Sequence, residues 1–198
     1  GGVTEIDHRK EVIIDGQNAF SGGGVNFTDS ALRKHDMMVE VWGPAVSQIQ
    51  AEFIQNWEEV AGAIPDNEKS KLLKDEKTLN KIMKGHQAET GHKHTSNTQV
   101  LVTDDNQMDV YQKMSDLLKT SKVINIEHAY FTDKELVSQV ADAIRRGATV
   151  NVIVPEESDE GDKLNYGNIG TLQTLKRASE EPGAKGKFNA YLFRKDVK

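Results

Sequence analysis

Three side chains suited to handling phosphate stand near the start of the chain: the imidazole of His8, the ammonium of Lys10 and, beyond a glycine run, the amide of Asn26. A neutral imidazole is a competent nucleophile near neutral pH. A Lys supplies fixed positive charge where oxyanion charge builds, and an Asn amide donates to a further oxygen. Lys10 to Ile14 reads as a strand, so His8 and Lys10 project from one face with Val12 and Ile14 behind them. Gly23 and Gly24, within Gly22-Gly23-Gly24-Val25-Asn26, would let the backbone pass close to a bound phosphate. The chemistry this set suits is attack on a phosphodiester. Singly, an H-x-K pair is an ordinary surface pair and a glycine triplet an ordinary turn; their order is what points to function.

The order His8, Lys10, Asp15, short apolar strand, glycine run and Asn26 resembles the H-x-K-x4-D catalytic motif of the phospholipase D superfamily. The resemblance implies that one imidazole attacks phosphorus to form a phosphohistidine and a second protonates the leaving alkoxide. Lys and Asn hold the phosphoryl oxygens, with no metal or cofactor. The family commonly has two glycines, one variable residue and Asn, whereas this chain carries a third glycine. A catalytic His needs its second ring nitrogen held by an acceptor. The run Lys34 to Val46 is similar to the family's next strand, whose opening carboxylate does this, so Asp36 is the expected orienter and His35 its competitor. Asp15 belongs to the motif's catalytic set, yet its distance from His8 in sequence puts it off the catalytic face, where fixing the turn is its expected role.

Further on, Ile126-Glu127-His128-Ala129-Tyr130-Phe131, Arg145 to Val150, Pro155 and Ser158-Asp159 are similar to the opening of the second catalytic half in two-motif members. On that basis Tyr130 and Phe131 join Asn26, Gly23 and Gly24 as substrate-binding residues. No second H-x-K-x4-D is present: His86, His92, His94 and His128 all fail the spacing. The expectation is therefore a window from a longer two-motif protein, with the second imidazole coming from the parent chain or from a homodimer partner. Phospholipase D and cardiolipin synthase sequences are the better likeness, which favours a phospholipid substrate; single-motif nucleases match less well. The motif does not decide between hydrolysis and phosphatidyl transfer. A catalytically incomplete lipid- or partner-binding module is the alternative from another class.

Composition sets outer bounds. With 198 residues, 36% hydrophobic and 28% charged, the chain has the makeup of an ordinary globular protein. A formal net charge of −6 offers no basic footprint for nucleic acid or for a bulk anionic membrane. No apolar run approaches the ~20 residues of a membrane span, and no signal-peptide core is visible. Peripheral membrane contact remains compatible, and the compartment stays open, since cysteine is absent.

The elements divide into residues 1–62, the closing part of a first half; 63–98, a charged linker with one helix; and 99–198, a βαβ opening of a second half. The fold class expected is α/β, a phospholipase D-like mixed sheet flanked by helices, with one motif present and the second missing. In the first part, Val46, Ile49, Phe53, Trp57 and Val60 form a helical apolar stripe expected to face the core, in preference to a lipid-contact face. In the linker, His92-x-His94 could chelate a metal on a strand, as part of a set with His86. No carboxylate or Cys is spaced to complete that set, so a solvated loop is expected. In the third part, Val100 to Thr103 reads as a short strand, and a helix from Asp109 should turn Val110, Met114, Leu117 and Leu118 inward. Val123 to Ile126 reads as a buried strand. Thr132 and Glu135 read as a capping box for a helix closed by Gly147, followed by a strand at Thr149 to Val154 parallel to the preceding one. A helix at Gly170 to Ser179 and a strand at Phe188 to Phe193 complete the set.

Overall fold

Asp15 and Gly16 decide how the chain first turns back. Both take positive φ, 53° and 59°, and the Gln17 N–H donates to the Ile14 carbonyl at 2.9 Å, the geometry of a primed hairpin turn. The turn joins β1 (Val12–Ile14) to β2 (Asn18–Ser21), and β3 (Val39–Trp42) pairs with the far side of β2. Both pairings are antiparallel, with Val12 opposite Phe20 and Ser21 opposite Val39. The structure is a computed structural model and describes residues 9–24, 26, 36–91, 95–103, 108–156 and 162–193, with side chains from 166 onward in the last segment. It is a mixed α/β chain with two small three-stranded sheets, dividing into units Gly1–Val100 and Leu101–Lys198.

In the first unit, β3 runs through Gly43 and Pro44 into α1 (Ala45–Ala61), with Pro at the N-cap where the missing N–H costs nothing. Helices α2 (Asp66–Leu72) and α3 (Glu76–Thr90) follow, so the segment expected to be a linker with one helix holds two. It is also packed: Leu79 of α3 is fully buried with Ala19, Val46 and Ile49, against Ile13, Val41 and Val100. Asp75 caps α3 by accepting the Thr78 N–H at 2.9 Å and its hydroxyl at 2.7 Å. Those bonds hold its carboxyl below the usual range.

The stripe on α1 only half obeys its expectation. Val46 and Ile49 are buried, but Phe53, Trp57 and Val60 are 44%, 50% and 87% exposed. The apolar face outruns the material that covers it. His92 and His94 lie outside the described residues, whereas His86, weighed as a metal ligand, stacks on Trp42 with ring centroids 4.0 Å apart and planes at 11°.

In the second unit, α4 (Asp109–Leu118) precedes β4 (Val123–Glu127), α5 (Lys134–Arg146), β5 (Thr149–Pro155), α6 (Asp162–Glu180) and β6 (Lys187–Phe193). The three strands are parallel in the order β4-β5-β6, as the alternating strand and helix pattern requires. One face of the sheet supplies Val150, Val152 and Val154 to a core with Val137, Val140, Ala141 and Ile144 of α5 and Leu175 and Ala178 of α6. On the alternate positions Asn125, Asn151 and Asn189 lie in register and join side chain to side chain, each bond 2.8 Å.

Four local expectations change here. Residues 100–103 form no strand; Thr103 makes only an isolated bridge to Met108. Helix α4 leaves Val110, Met114 and Leu117 exposed and buries Ser115 instead, while Leu118 alone packs on the core. Strand β4 alternates rather than being buried throughout, because only one sheet face is covered, and Val123 is 62% exposed. The cap of α5 is Asp133, not Thr132: its carboxylate accepts the Leu136 N–H at 2.8 Å, the bond a capping side chain makes three residues on. Gly147 closes the helix as expected, at φ 123°.

Candidate functional site

An antiparallel meander brings the start of β1, the end of β2 and the start of β3 to one end of the sheet. Lys10 precedes β1 by two residues, Gly22 to Gly24 and Asn26 follow β2, and Asp36 precedes β3 by three. Strand pairing therefore puts the segments that hold Lys10, the glycine run and Asp36 at the same end of the sheet, although up to 26 positions separate them. His8 lies outside the described residues, as does His35.

The glycine run sits tightly against the start of β3. A Cβ on Gly23 would overlap the Met37 carbonyl oxygen, so this position accepts no side chain without moving the backbone. A Cβ on Gly24 would stand 2.8 Å from Asp36 Oδ1. The two glycines are thus spent on close approach to residues 36–38, and that approach sets the Asp36 carboxylate beside the glycine backbone. Asp36 Oδ1 also accepts its neighbour's N–H, from Met37, at 2.8 Å, which fixes the side chain's direction while the residue stays exposed. Asn26 is exposed and Lys10 half-buried.

Asp15 stands apart from these. It occupies the β1–β2 turn at the opposite end of the sheet, five residues beyond Lys10, or about 16 Å along an extended strand. Its structural work is to adopt positive φ in an Asp-Gly turn, which few other residue types tolerate. The turn-fixing expectation suits this placement, and the structure does not bring Asp15 to the Lys10 and Asp36 edge.

Tyr130 and Phe131 belong to the second unit, in the loop that leaves β4. The His128 N–H donates to the Ile153 carbonyl at 3.2 Å, and the Tyr130 N–H donates to His128 Nδ1 at 3.0 Å. An Nδ1 that accepts a hydrogen bond leaves the neutral ring's proton on Nε2. Below the loop, Asn168 of α6 accepts the Phe131 N–H at 3.0 Å and donates to the Ala129 carbonyl at 2.8 Å; Thr171 donates to the Phe131 carbonyl at 2.7 Å. Asn168 is 2% exposed and Thr171 is buried. Phe131 packs against the unit's core, which makes it an anchor of the loop, while Tyr130 is half-buried beside it.

Sequence reasoning passed over Asn168 and Thr171. The signal was present: they stand at inward positions of a helical stripe completed by Leu172, Leu175 and Ala178. A polar residue on a buried stripe must find partners, and backbone groups of a neighbouring loop are the commonest. Among the described residues no cluster of three metal-ligating side chains converges. No family model, curated protein or solved structure matches the chain.

Proposed function

We propose that this chain carries one half of a phospholipase D-type phosphodiester site, acting on phospholipids by hydrolysis or phosphatidyl transfer. The observation that supports the reading is the end of the sheet where the strand that follows Lys10 begins and the glycine run closes on Asp36, within the order of an H-x-K-x4-D motif. In this reading the His8 imidazole attacks phosphorus and the bond to the leaving alkoxide breaks. A proton from a second imidazole neutralises that alkoxide. The second imidazole, now neutral, then takes the proton of water or of a lipid alcohol as that oxygen displaces the His8 imidazole from phosphorus. Lys10 and Asn26 stabilise the equatorial oxygens, and Asp36 holds the second nitrogen of His8. The second imidazole comes from another H-x-K motif, in the same polypeptide or in a second copy of the chain.

The test is covalent trapping with a chromogenic phosphodiester in the protein that supplies both motifs. Wild type should acquire an acid-labile phosphoryl adduct on His8, and His8→Ala should lose the adduct with nearly all turnover, many powers of ten. Lys10→Ala and Asp36→Asn should retain the adduct at reduced rate. Turnover above a few per cent in a folded His8→Ala protein would end the nucleophile assignment. For the two-copy version, mixed dimers of wild type and His8→Ala should lose activity beyond dilution; full activity per wild-type chain rules out a shared site.

The alternative reading, a non-catalytic lipid- or partner-binding module, is favoured by the single H-x-K motif in the chain. It predicts phosphodiester binding that depends on Lys10 with no adduct on His8 under any assembly state.

A further inference from the structure

We propose that the overhanging end of α1, the ridge Phe53, Trp57 and Val60, seats the protein on a zwitterionic, choline-bearing phospholipid surface. The inference rests on the phospholipid reading of the substrate, and extends it by naming the contact surface and its lipid chemistry.

The ridge continues, at spacings of four and three, the same helical stripe that buries Val46 and Ile49 in the first unit's core. From Phe53 on the stripe is open: Ile54 beside it is 6% exposed, whereas Phe53, Trp57 and Val60 face outward in a row. Phe53 and Trp57 hold their rings 6.2 Å apart at 38°, so the middle of the ridge is a paired aromatic surface. Single exposed apolar residues are ordinary, but a contiguous aromatic row marks a contact.

Size and charge select what it contacts. From their exposures the three side chains offer on the order of 300 Å² of apolar surface, against roughly 800 Å² per partner in a stable protein interface. A second copy of the chain would be poorly held by so small a patch, whereas shallow insertion into a lipid interface needs only a few such side chains beside a polar helix face. The helix carries Glu52, Glu58 and Glu59 and no Lys or Arg. Lys69 neutralises Glu58 from α2, at 2.6 Å, and Gln55 donates to Glu59; Glu52 adds a further carboxylate to the flank. With a chain charge of −6, an anionic surface is repelled. A trimethylammonium head group is attracted both to the flanking carboxylates and to the faces of the Trp and Phe rings.

The experiment uses the full chain with vesicles of pure phosphatidylcholine and vesicles containing phosphatidylglycerol. The chain has two tryptophans, so Trp42→Phe leaves Trp57 as the sole reporter. Trp57 emission should shift to the blue on adding phosphatidylcholine vesicles and be quenched by brominated acyl chains. Partition should fall at least tenfold in Phe53→Ser/Trp57→Ser, given the apolar area lost, and should weaken as phosphatidylglycerol replaces phosphatidylcholine. No blue shift, equal partition of the double variant, or tighter binding to the anionic vesicles would overturn the proposal. A blue shift that grows with protein concentration in the absence of lipid would overturn it in favour of a second copy. Turnover of the soluble chromogenic diester needs no interface and is measured alongside in the protein that supplies both motifs: vesicle binding without that turnover removes the enzymatic reading and keeps this surface, and turnover without binding does the reverse.

Discussion

Replacing Asn168 by Ala should release the loop that carries Tyr130 and Phe131. In the folded protein the side chain accepts the Phe131 N–H and donates to the Ala129 carbonyl while only 2% exposed. Without it, the half-buried Phe131 N–H loses its partner at a cost of about 1–3 kcal/mol, and the bond to Ala129, whose exposed residue water can reach, adds about 0.5–1.5 kcal/mol. A loss of about 1.5–4.5 kcal/mol is expected in all. With a urea m value of about 2 kcal/mol/M, the unfolding midpoint should fall by about 1–2 M. Hydrogen exchange locates the effect: the Phe131 amide should lose protection, while amides of β1 to β3 keep theirs. Thr171→Val, which removes only the bond to the Phe131 carbonyl, should cost about 1 kcal/mol. A midpoint shift below about 0.25 M for Asn168→Ala, or an unchanged Phe131 exchange rate, would show that these bonds do not hold the loop.

Gly23→Ala puts a methyl group into the Met37 carbonyl and should cost about 1–3 kcal/mol in urea unfolding; Gly22→Ala, whose Cβ would meet nothing but whose φ of 72° an Ala strains, is the comparison that carries backbone strain without overlap. Arg145 binds Glu181 through two 2.7 Å bonds that hold the Glu181 carboxyl below its ordinary range. A lowered folded-state value means stabilisation present above the unfolded carboxyl's pKa and lost as pH falls through the folded one. Wild type should therefore melt about 1–3 °C above Glu181→Gln near pH 7, and the gap should close in thermal scans as pH falls below the ordinary carboxyl range and Glu181 takes up its proton. His86→Ala should remove the stack on Trp42, change the tryptophan emission and cost about 0.5–1.5 kcal/mol; an unchanged spectrum would mean that the rings do not meet in solution.

Where neighbouring residues sufficed, the sequence alone determined the outcome. Asp15-Gly16 makes its hairpin because both residues tolerate positive φ, and Gly147 ends α5 for the same reason. Alternation in Thr149 to Val154 marks a strand with one covered face, and the helices between β4, β5 and β6 make their pairing parallel. The order of His8, Lys10, Asp15, Gly23, Gly24, Asn26 and Asp36 was legible as a motif, but only the β1-β2-β3 register puts the glycine run against Asp36 at the end of the sheet where β1 begins and sends Asp15 to the other end. Tertiary contacts decided what periodicity cannot express. A helical stripe states which face is apolar, not how far a neighbour covers it. So Val46 and Trp57 carry the same pattern and opposite fates, and the Val110, Met114 and Leu117 stripe lies open. Leu79 could look like part of a charged linker until α3 packed it against Ala19, and Asn168 could look like a surface polar residue. Its role depends on a loop some 40 residues away in sequence, brought to hydrogen-bond distance by the packing of α6 against α5 and β6.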